Sequence, residues 1–341
     1  MNVSVSVSES HEGSPAKADS PAWLVLGRRL DPRAGGQAVP LGLAAATAVA
    51  IAFLEPAFYH TSNLHVLMQQ CATLGLVTLG QLLVLLVGGI DLSVGAVMNA
   101  CLITIALMNQ RDDHLLWAAL LACVGIGAGV GLANGLLVSL RDVPPFAATL
   151  GMTAVVQGAI LVYTKGVPAG NIPSSLRPVA LSGIGIVPYS LVICLAIGAA
   201  LVFVLRRGTF GRKIYAVGRS PDVARRVAIS TLNVRLVAYA LCGVLASFAG
   251  IILSAYVGYV DPTIGGNYNL ESIAAAVLGG VAFTGGEGGA IGALAGVLFL
   301  LALLNVVTLS SLNPYTQLIV QGVVLLVAVS VFQLLKKRSA T

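Results

Sequence analysis

The chain has 341 residues, of which 57% are hydrophobic and only 9% charged, and its formal net charge is +6. A soluble domain carries about 25% charged residues because its surface must face water, so a water-exposed globule is excluded and an all-α integral membrane protein is expected. The positive charge does not point to nucleic acid: 15 of the 19 Lys and Arg fall in three clusters outside the apolar runs, the distribution that orients helices in a membrane.

Residues 1–37 are rich in Ser, Glu, Pro and Gly, and no apolar core follows a basic start closely enough for a cleaved signal peptide. They read as a disordered cytoplasmic arm closed by Arg28, Arg29 and Arg33. A first span follows at 39–53. From Leu64 to Leu107 the chain is apolar for 44 residues with Asp91 as the one acid. Unbroken, that stretch would be about 66 Å of helix, roughly twice a bilayer. It therefore turns, and Gly88-Gly89 ahead of Asp91 is the place that invites it. Further spans read at 115–139, 146–164, 186–205, 236–257, 271–284, 290–309 and 315–335, about ten in all.

Four positive residues lie in the arm, eight from Arg206 to Arg235, and three at Lys336-Lys337-Arg338. With all three clusters cytoplasmic, six spans precede the middle loop and four follow it. The short 271–284 segment then crosses, or a re-entrant pair replaces it, and both termini are cytoplasmic. The domain plan is an arm (1–37), a transmembrane domain (38–335) containing a cytoplasmic loop (206–235), and a basic tail (336–341).

Three regions carry chemistry. In Gly88-Gly89-Ile90-Asp91-Leu92-Ser93-Val94-Gly95, two glycines end one helix and Asp91 or Ser93 caps the next. The same residues suit a broken helix whose polar end lines a solute path or braces a gate. In the loop 206–235, Ser220, Pro221 and Asp222 form a helix start, predicting a short helix over 221–228. With Val223, Val227 and Ile229 between Arg225 and Arg226 and their neighbours, it reads as a docking surface, or as a basic loop that only sets topology. From Glu271 to Gly296 the glycine pairs permit close helix contact, with Glu271 and Glu287 expected at the interfaces. Gly88-Gly89 and Gly279-Gly280 share similar downstream patterns, too little to establish a repeat.

Gln69, Gln81, Ser93, Asn99, Asn134 and Asn305 either line a path or make interhelical hydrogen bonds, the second being favoured for any one of them. The five cysteines (Cys71, Cys101, Cys123, Cys194, Cys242) sit in apolar stretches without a Cys-x-x-Cys pair or a His at ligand spacing, so they read as small hydrophobes, with no metal and no disulfide framework. No Gly-x-x-x-x-Gly-Lys-Ser/Thr phosphate loop occurs, so no nucleotide site and no cofactor is expected in this chain.

The Gly88–Gly95 stretch, Pro145-Phe146-Ala147-Ala148-Thr149-Leu150-Gly151, the loop from Gly211-Arg212 to Ile229, and Leu270-Glu271-Ser272-Ile273-Ala274-Ala275-Ala276-Val277-Leu278-Gly279-Gly280 occur in this order and spacing. Together they resemble the permease subunits of bacterial ribose-type sugar ABC importers, over about residues 38–335. The resemblance implies a homodimer or heterodimer of permeases in the bacterial inner membrane, enclosing a monosaccharide path. Its partners would be cytoplasmic ATP-binding subunits and a periplasmic sugar-binding protein. It assigns coupling to the ATPase to Ser220, Pro221, Asp222, Arg225 and Arg226. Path or gate residues are then Gly88, Gly89, Asp91, Ser93, Asn99, Gln81, Asn134 and Glu271. The exterior loop from Lys165 to Val187 is either a contact for the binding protein or a plain connection. Two positions depart from the family pattern: Ala228 stands where glycine is common, expected to stiffen the loop, and Gly285-Gly286-Glu287-Gly288 reverses a usual basic charge. The competing readings are a branched-chain amino-acid-type ABC permease, which needs recognition of a zwitterion, and an ion-coupled secondary transporter, for which Asp91 is the sole strong candidate.

Overall fold

The computed structural model describes residues 56–309, except 110–112 and 168–169, together with isolated positions between 313 and 326. The expected arm (1–37), first span (39–53), most of the last span (315–335) and basic tail (336–341) lie outside the described residues.

The described chain is predominantly helical. A 3-10 turn at Pro56–Tyr59 leads into α1 (Thr61–Leu86), followed by α2 (Val94–Met108), α3 (Leu116–Leu140) and α4 (Pro145–Thr164). A connecting segment then carries the one-turn α5 (Pro178–Leu181) and a two-stranded antiparallel hairpin of β1 (Gly183–Ile184) and β2 (Val187–Pro188), with Gly183 opposite Pro188. Next come α6 (Tyr189–Arg207), α7 (Thr209–Arg219), α8 (Pro221–Arg226) and the long α9 (Thr231–Val257). A 3-10 turn at Ile264–Asn267 precedes α10 (Tyr268–Leu278), and α11 (Ala290–Leu309) follows. Among the described residues, α1, α3, α4, α6 and α9 are long and apolar enough to cross a membrane, while α2 and α11 are shorter apolar helices.

Helix α1 is buried along almost its whole length, packed antiparallel to α9: Gly80 meets Cys242 and Gly89 meets Tyr239. The approach is close because the contact residues are small. Gly127 and Gly131 of α3 lie against Gly243 and Tyr239 of α9, with no space for a side chain at either glycine. In lipid, where no hydrophobic force pushes helices together, such backbone proximity is what holds a bundle. The outward faces are the inverse of a soluble protein: Trp117, Leu121, Val155, Val162 and Phe203 are all exposed. That much apolar surface suits hydrocarbon and would aggregate in water.

Three expectations are corrected. No helix covers 271–284: α10 starts earlier, behind a 3-10 turn, and ends at Leu278, because Gly279, Gly280, Gly285, Gly286 and Gly288 break the chain into successive turns. The loop 206–235 holds two helices rather than one, since α7 precedes the expected one. Its register places Ile214 and Val217 in the core and its basic residues outward. The connection 165–187 is no plain loop: Ile172, Leu176 and Ala180 are buried, and the Asn171 N–H donates to the Ala106 carbonyl.

Candidate functional site

The break after α1 forms as the glycines require. Gly88 takes φ 75°, a left-handed conformation that costs a side-chain-bearing residue about 1–2 kcal/mol. Gly89 faces Tyr239 with no space for a Cβ. The chain then runs extended through Asp91, which is only 1% exposed. A buried carboxylate is costly unless donors surround it. One oxygen, Oδ1, accepts from the Ser93 N–H at 2.8 Å, the Ser93 hydroxyl at 2.6 Å and the Asn134 amide at 3.3 Å. The Asn134 amide also donates to the Ser93 hydroxyl at 2.8 Å. Gln81, with its amide nitrogen facing the Asp91 carbonyl, donates to it at 3.1 Å and accepts from the Asp91 N–H at 3.2 Å. Neither Asp91 nor Ser93 caps α2 through its side chain, contrary to expectation. The carboxylate instead ties the irregular segment to itself and to α3. From α4, the Thr149 and Thr153 hydroxyls lie 3.3 and 2.9 Å from the Ile90 and Leu92 carbonyls, sharing one proton each between these and the Pro145 and Thr149 carbonyls of their own helix at 2.9 and 2.8 Å.

Above this turn, the start of α2 crosses the segment before α10. Gly95 and Gly265 meet backbone to backbone, each occupying the space a Cβ on the other would need. The Gly95 N–H donates to Asn269 Oδ1 at 2.7 Å, and the Gly265 N–H donates to Asn99 Oδ1 at 2.7 Å. The first turn of a helix leaves amide hydrogens without intrahelical partners, and in hydrocarbon each must find one. Here each segment supplies the acceptor for the other. Gln157 of α4 donates to the Pro262 carbonyl at 3.0 Å and joins Asn99 at 3.5 Å.

At the opposite end, α7 packs into the glycine turns after α10. The Tyr215 hydroxyl donates to the Gly288 carbonyl at 2.8 Å, and Gly218 lies against the Leu86 carbonyl and Gly286, whose N–H donates to Leu86 at 2.9 Å. The Ser220 hydroxyl accepts from the Val223 N–H at 3.4 Å as the N-cap of α8, and Arg225 pairs with Asp222 one turn away. Val223 and Val227 are 58% and 64% exposed, so α8 presents apolar side chains to solvent. Ala228 adopts φ 59°. The expected stiffening is thus more specific: the residue closes α8 in a left-handed conformation that suits glycine.

The polar residues singled out in the sequence separate into groups. Gln81, Asp91, Ser93 and Asn134 form the buried cluster, and Asn99 belongs to the crossing. Gln69 donates to the Ala180 carbonyl at 2.9 Å, and Asn305 exchanges amide hydrogen bonds with Asn63 at 2.8 and 3.0 Å, so both tie elements together. Glu271 is half-buried in the first turn of α10, and Glu287 is exposed within the glycine turns. All five cysteines are buried and free. Sequence reading missed Gln157, Thr263, Asn267 and Asn269, half-buried or exposed polar residues beside the crossing. The signal was available in Asn267 and Asn269, which flank Tyr268 just ahead of an apolar run.

The chain matches, over residues 63–329, the family described as branched-chain amino acid transport system / permease component. It is 35% identical over 285 residues to the ribose import permease protein of Escherichia coli (strain K12), covering 82% of this chain and 88% of that protein. To the ribose import permease protein of Bacillus subtilis (strain 168) it is 36% identical over 289 residues, with the same coverage of 82% and 88%. The fructose import permease protein of Rhizobium meliloti is 31% identical over 312 residues, 89% of this chain and 87% of that one. No solved structure matches.

Proposed function

The chain belongs to this permease-component family of multi-pass membrane proteins, and from that premise we propose that it is the permease subunit of an ATP-driven monosaccharide importer. The relatives named for ribose and fructose support a sugar rather than an amino acid as cargo. ATP is hydrolysed by a separate cytoplasmic subunit, a periplasmic binding protein delivers the sugar, and a second permease copy completes the path. The chain sits in the inner membrane with ten spans and both termini in the cytoplasm, in keeping with its three basic clusters.

The observation that carries the reading is the pair α7–α8. It is basic, capped at Ser220, apolar at Val223 and Val227 on the exposed side, and seated against the glycine turns on the other. A surface of this kind receives a push and passes it to the ends of α1 and α10. In this reading Ser220, Pro221 and Asp222 fix the helix start, and Arg225 and Arg226 face the ATPase. Along the path, Thr263, Asn267 and Gln157 offer hydrogen bonds to sugar hydroxyls. Alternating exposure follows from nucleotide binding and release in the partner, which biases one arrangement over the other. Asp91 and Ser93, with Gly88, Gly89, Gln81 and Asn134, brace the bundle beside that path.

The test is charge reversal at Arg225→Glu with Arg226→Glu. We expect unchanged membrane levels, persistent ATP hydrolysis, and sugar uptake reduced at least tenfold. Uptake at the unmodified rate would remove α8 from the coupling.

A further inference from the structure

The two broken segments share more than a general likeness. The residues Gly-x-x-Asp-x-Ser-x-Gly-x-x-x-Asn at 88–99 recur as Gly-x-x-Asp-x-Thr-x-Gly-x-x-x-Asn at 258–269, each position displaced by 170. The same displacement carries the start of α1, Thr61, onto the start of α9, Thr231, and the limits of α2, Val94–Met108, onto Ile264 and Leu278, the limits of the 3-10 turn and α10. The conformations repeat as well. Gly88 and Gly258 have φ 75° and 72°. Asp261 Oδ1 accepts from the Thr263 N–H at 2.8 Å and its hydroxyl at 2.7 Å, the pattern that Asp91 makes with Ser93. Since α1 and α9 run antiparallel, the two copies are inverted. The crossing of Gly95 with Gly265 pairs a residue with its own counterpart, so the pseudo-two-fold axis passes between them. The reciprocal Asn99 and Asn269 hydrogen bonds are one interaction seen from its two sides. The repeat therefore matches Gly88 with Gly258, not with Gly279.

The copies differ in what surrounds the aspartate. Asp91 is enclosed by Gln81 and Asn134, whose counterparts by the same displacement are Ile251 and Leu304, both apolar and buried. Asp261 is not sheltered as Asp91 is: the position matching Asn134, which reaches the Asp91 carboxylate, and the position matching Gln81, which pairs with the Asp91 backbone, are both hydrocarbon. Its turn is open: Asp261 is half-buried and Thr263 is exposed.

We propose that the Asn99–Gly265 and Asn269–Gly95 clasp is a fixed pivot on the repeat axis, and that the two turns have opposite duties. The Asp91 turn is an immobile brace in the cytoplasmic half of the bundle, and the Asp261–Thr263 turn, hinged at Gly258, is the moving gate on the outer half. Asn99 and Asn269 are positioning residues: they keep the lower end of the gate in place while its upper end moves. Which half faces out rests on the importer reading; the division into brace and gate rests on the repeat.

The test introduces Ser93→Cys and Thr263→Cys singly and follows reaction with a membrane-impermeant methanethiosulfonate reagent, in membranes containing the assembled transporter. The five native cysteines, all buried, give the baseline. We expect Thr263→Cys to react, at a rate that changes at least fivefold between nucleotide-free and ATP-trapped states, and Ser93→Cys to stay unreactive in both. Adding Asn269→Ala should leave Thr263→Cys reactive but cancel the dependence on nucleotide, and Asn269→Asp, which retains the acceptor, should restore it. Reaction at Ser93→Cys, no reaction at Thr263→Cys, or equal rates in both states while an ATPase co-purifies and hydrolyses ATP would overturn the proposal with the importer reading intact. If no ATPase co-purifies, that reading fails. Reaction at Ser93→Cys, or none at Thr263→Cys, without nucleotide then still overturns the division into brace and gate.

Discussion

The turns at Asp91–Ser93 and Asp261–Thr263 each close with two hydrogen bonds from a hydroxyl residue to the aspartate two positions before it, yet one is enclosed in the bundle and the other lies open. The difference is not in the turns. It lies in α1 and α3, which offer Gln81 and Asn134 to the first aspartate, whereas the matching positions of α9 and α11 offer Ile251 and Leu304 to the second. A local motif thus fixes backbone shape, and residues distant in sequence decide whether that shape is immobile. An aspartate inside a membrane protein is commonly read as a coupling or gating group. Here the buried one is the better satisfied and the less suited to move.

Removing the carboxylates should break the comparison most visibly. Asp91→Ala leaves the Ser93 N–H and the Asn134 amide buried without that acceptor, and should cost about 1–3 kcal/mol for each stranded donor. Asp261→Ala loses only bonds within its own exposed turn and should cost under about 1 kcal/mol. Thermal unfolding of the two purified variants in the same detergent checks this, and equal losses would mean that enclosure plays no part. A smaller effect tests the shared axis. Gly95→Ala and Gly265→Ala each force a Cβ into the other's backbone, and overpacking of this kind costs about 1–3 kcal/mol. Because the glycines are counterparts, the two losses should be alike in the same thermal measurement; a loss at one several-fold that at the other would deny the symmetry. The smallest change lies outside both turns. Ala228→Gly relieves a left-handed residue and should stabilise α8 by about 0.5–1 kcal/mol, after allowing for the greater freedom of glycine in the unfolded chain. Slower amide exchange at Ile229, whose N–H donates to the Ala224 carbonyl at 3.0 Å, would register it.

Much of this organisation was legible in the sequence. Long apolar runs gave α3, α4, α6 and α9 to within a few residues, since a membrane helix is specified by length and hydropathy alone. Gly88-Gly89 marked the break after α1, and Ser220-Pro221-Asp222 marked α8, because turns and caps depend on neighbouring residues. The course of 258–289 was not legible. Glycines there serve as hinge at Gly258, as close contact at Gly265 and as turns at Gly285 and Gly286, three uses that composition does not distinguish. The roles of Asn99 and Asn269 were hidden for the same reason: each acts on a backbone amide more than 160 residues away.

The exchanged hydrogen bonds also set a clock on biosynthesis. Helix α2 is made early, but the acceptor for the amide of Gly95 arrives only with Asn269, 174 residues later. At about 5–20 residues per second, the first half of the chain waits roughly ten to thirty seconds in the bilayer with a helix end unfinished. During that interval it depends on water, lipid headgroups or the insertion machinery for what the second half will later provide. A nascent chain halted before Gly265 has no route to completion within itself. It keeps a backbone amide in α2 whose acceptor is encoded only in the half not yet made.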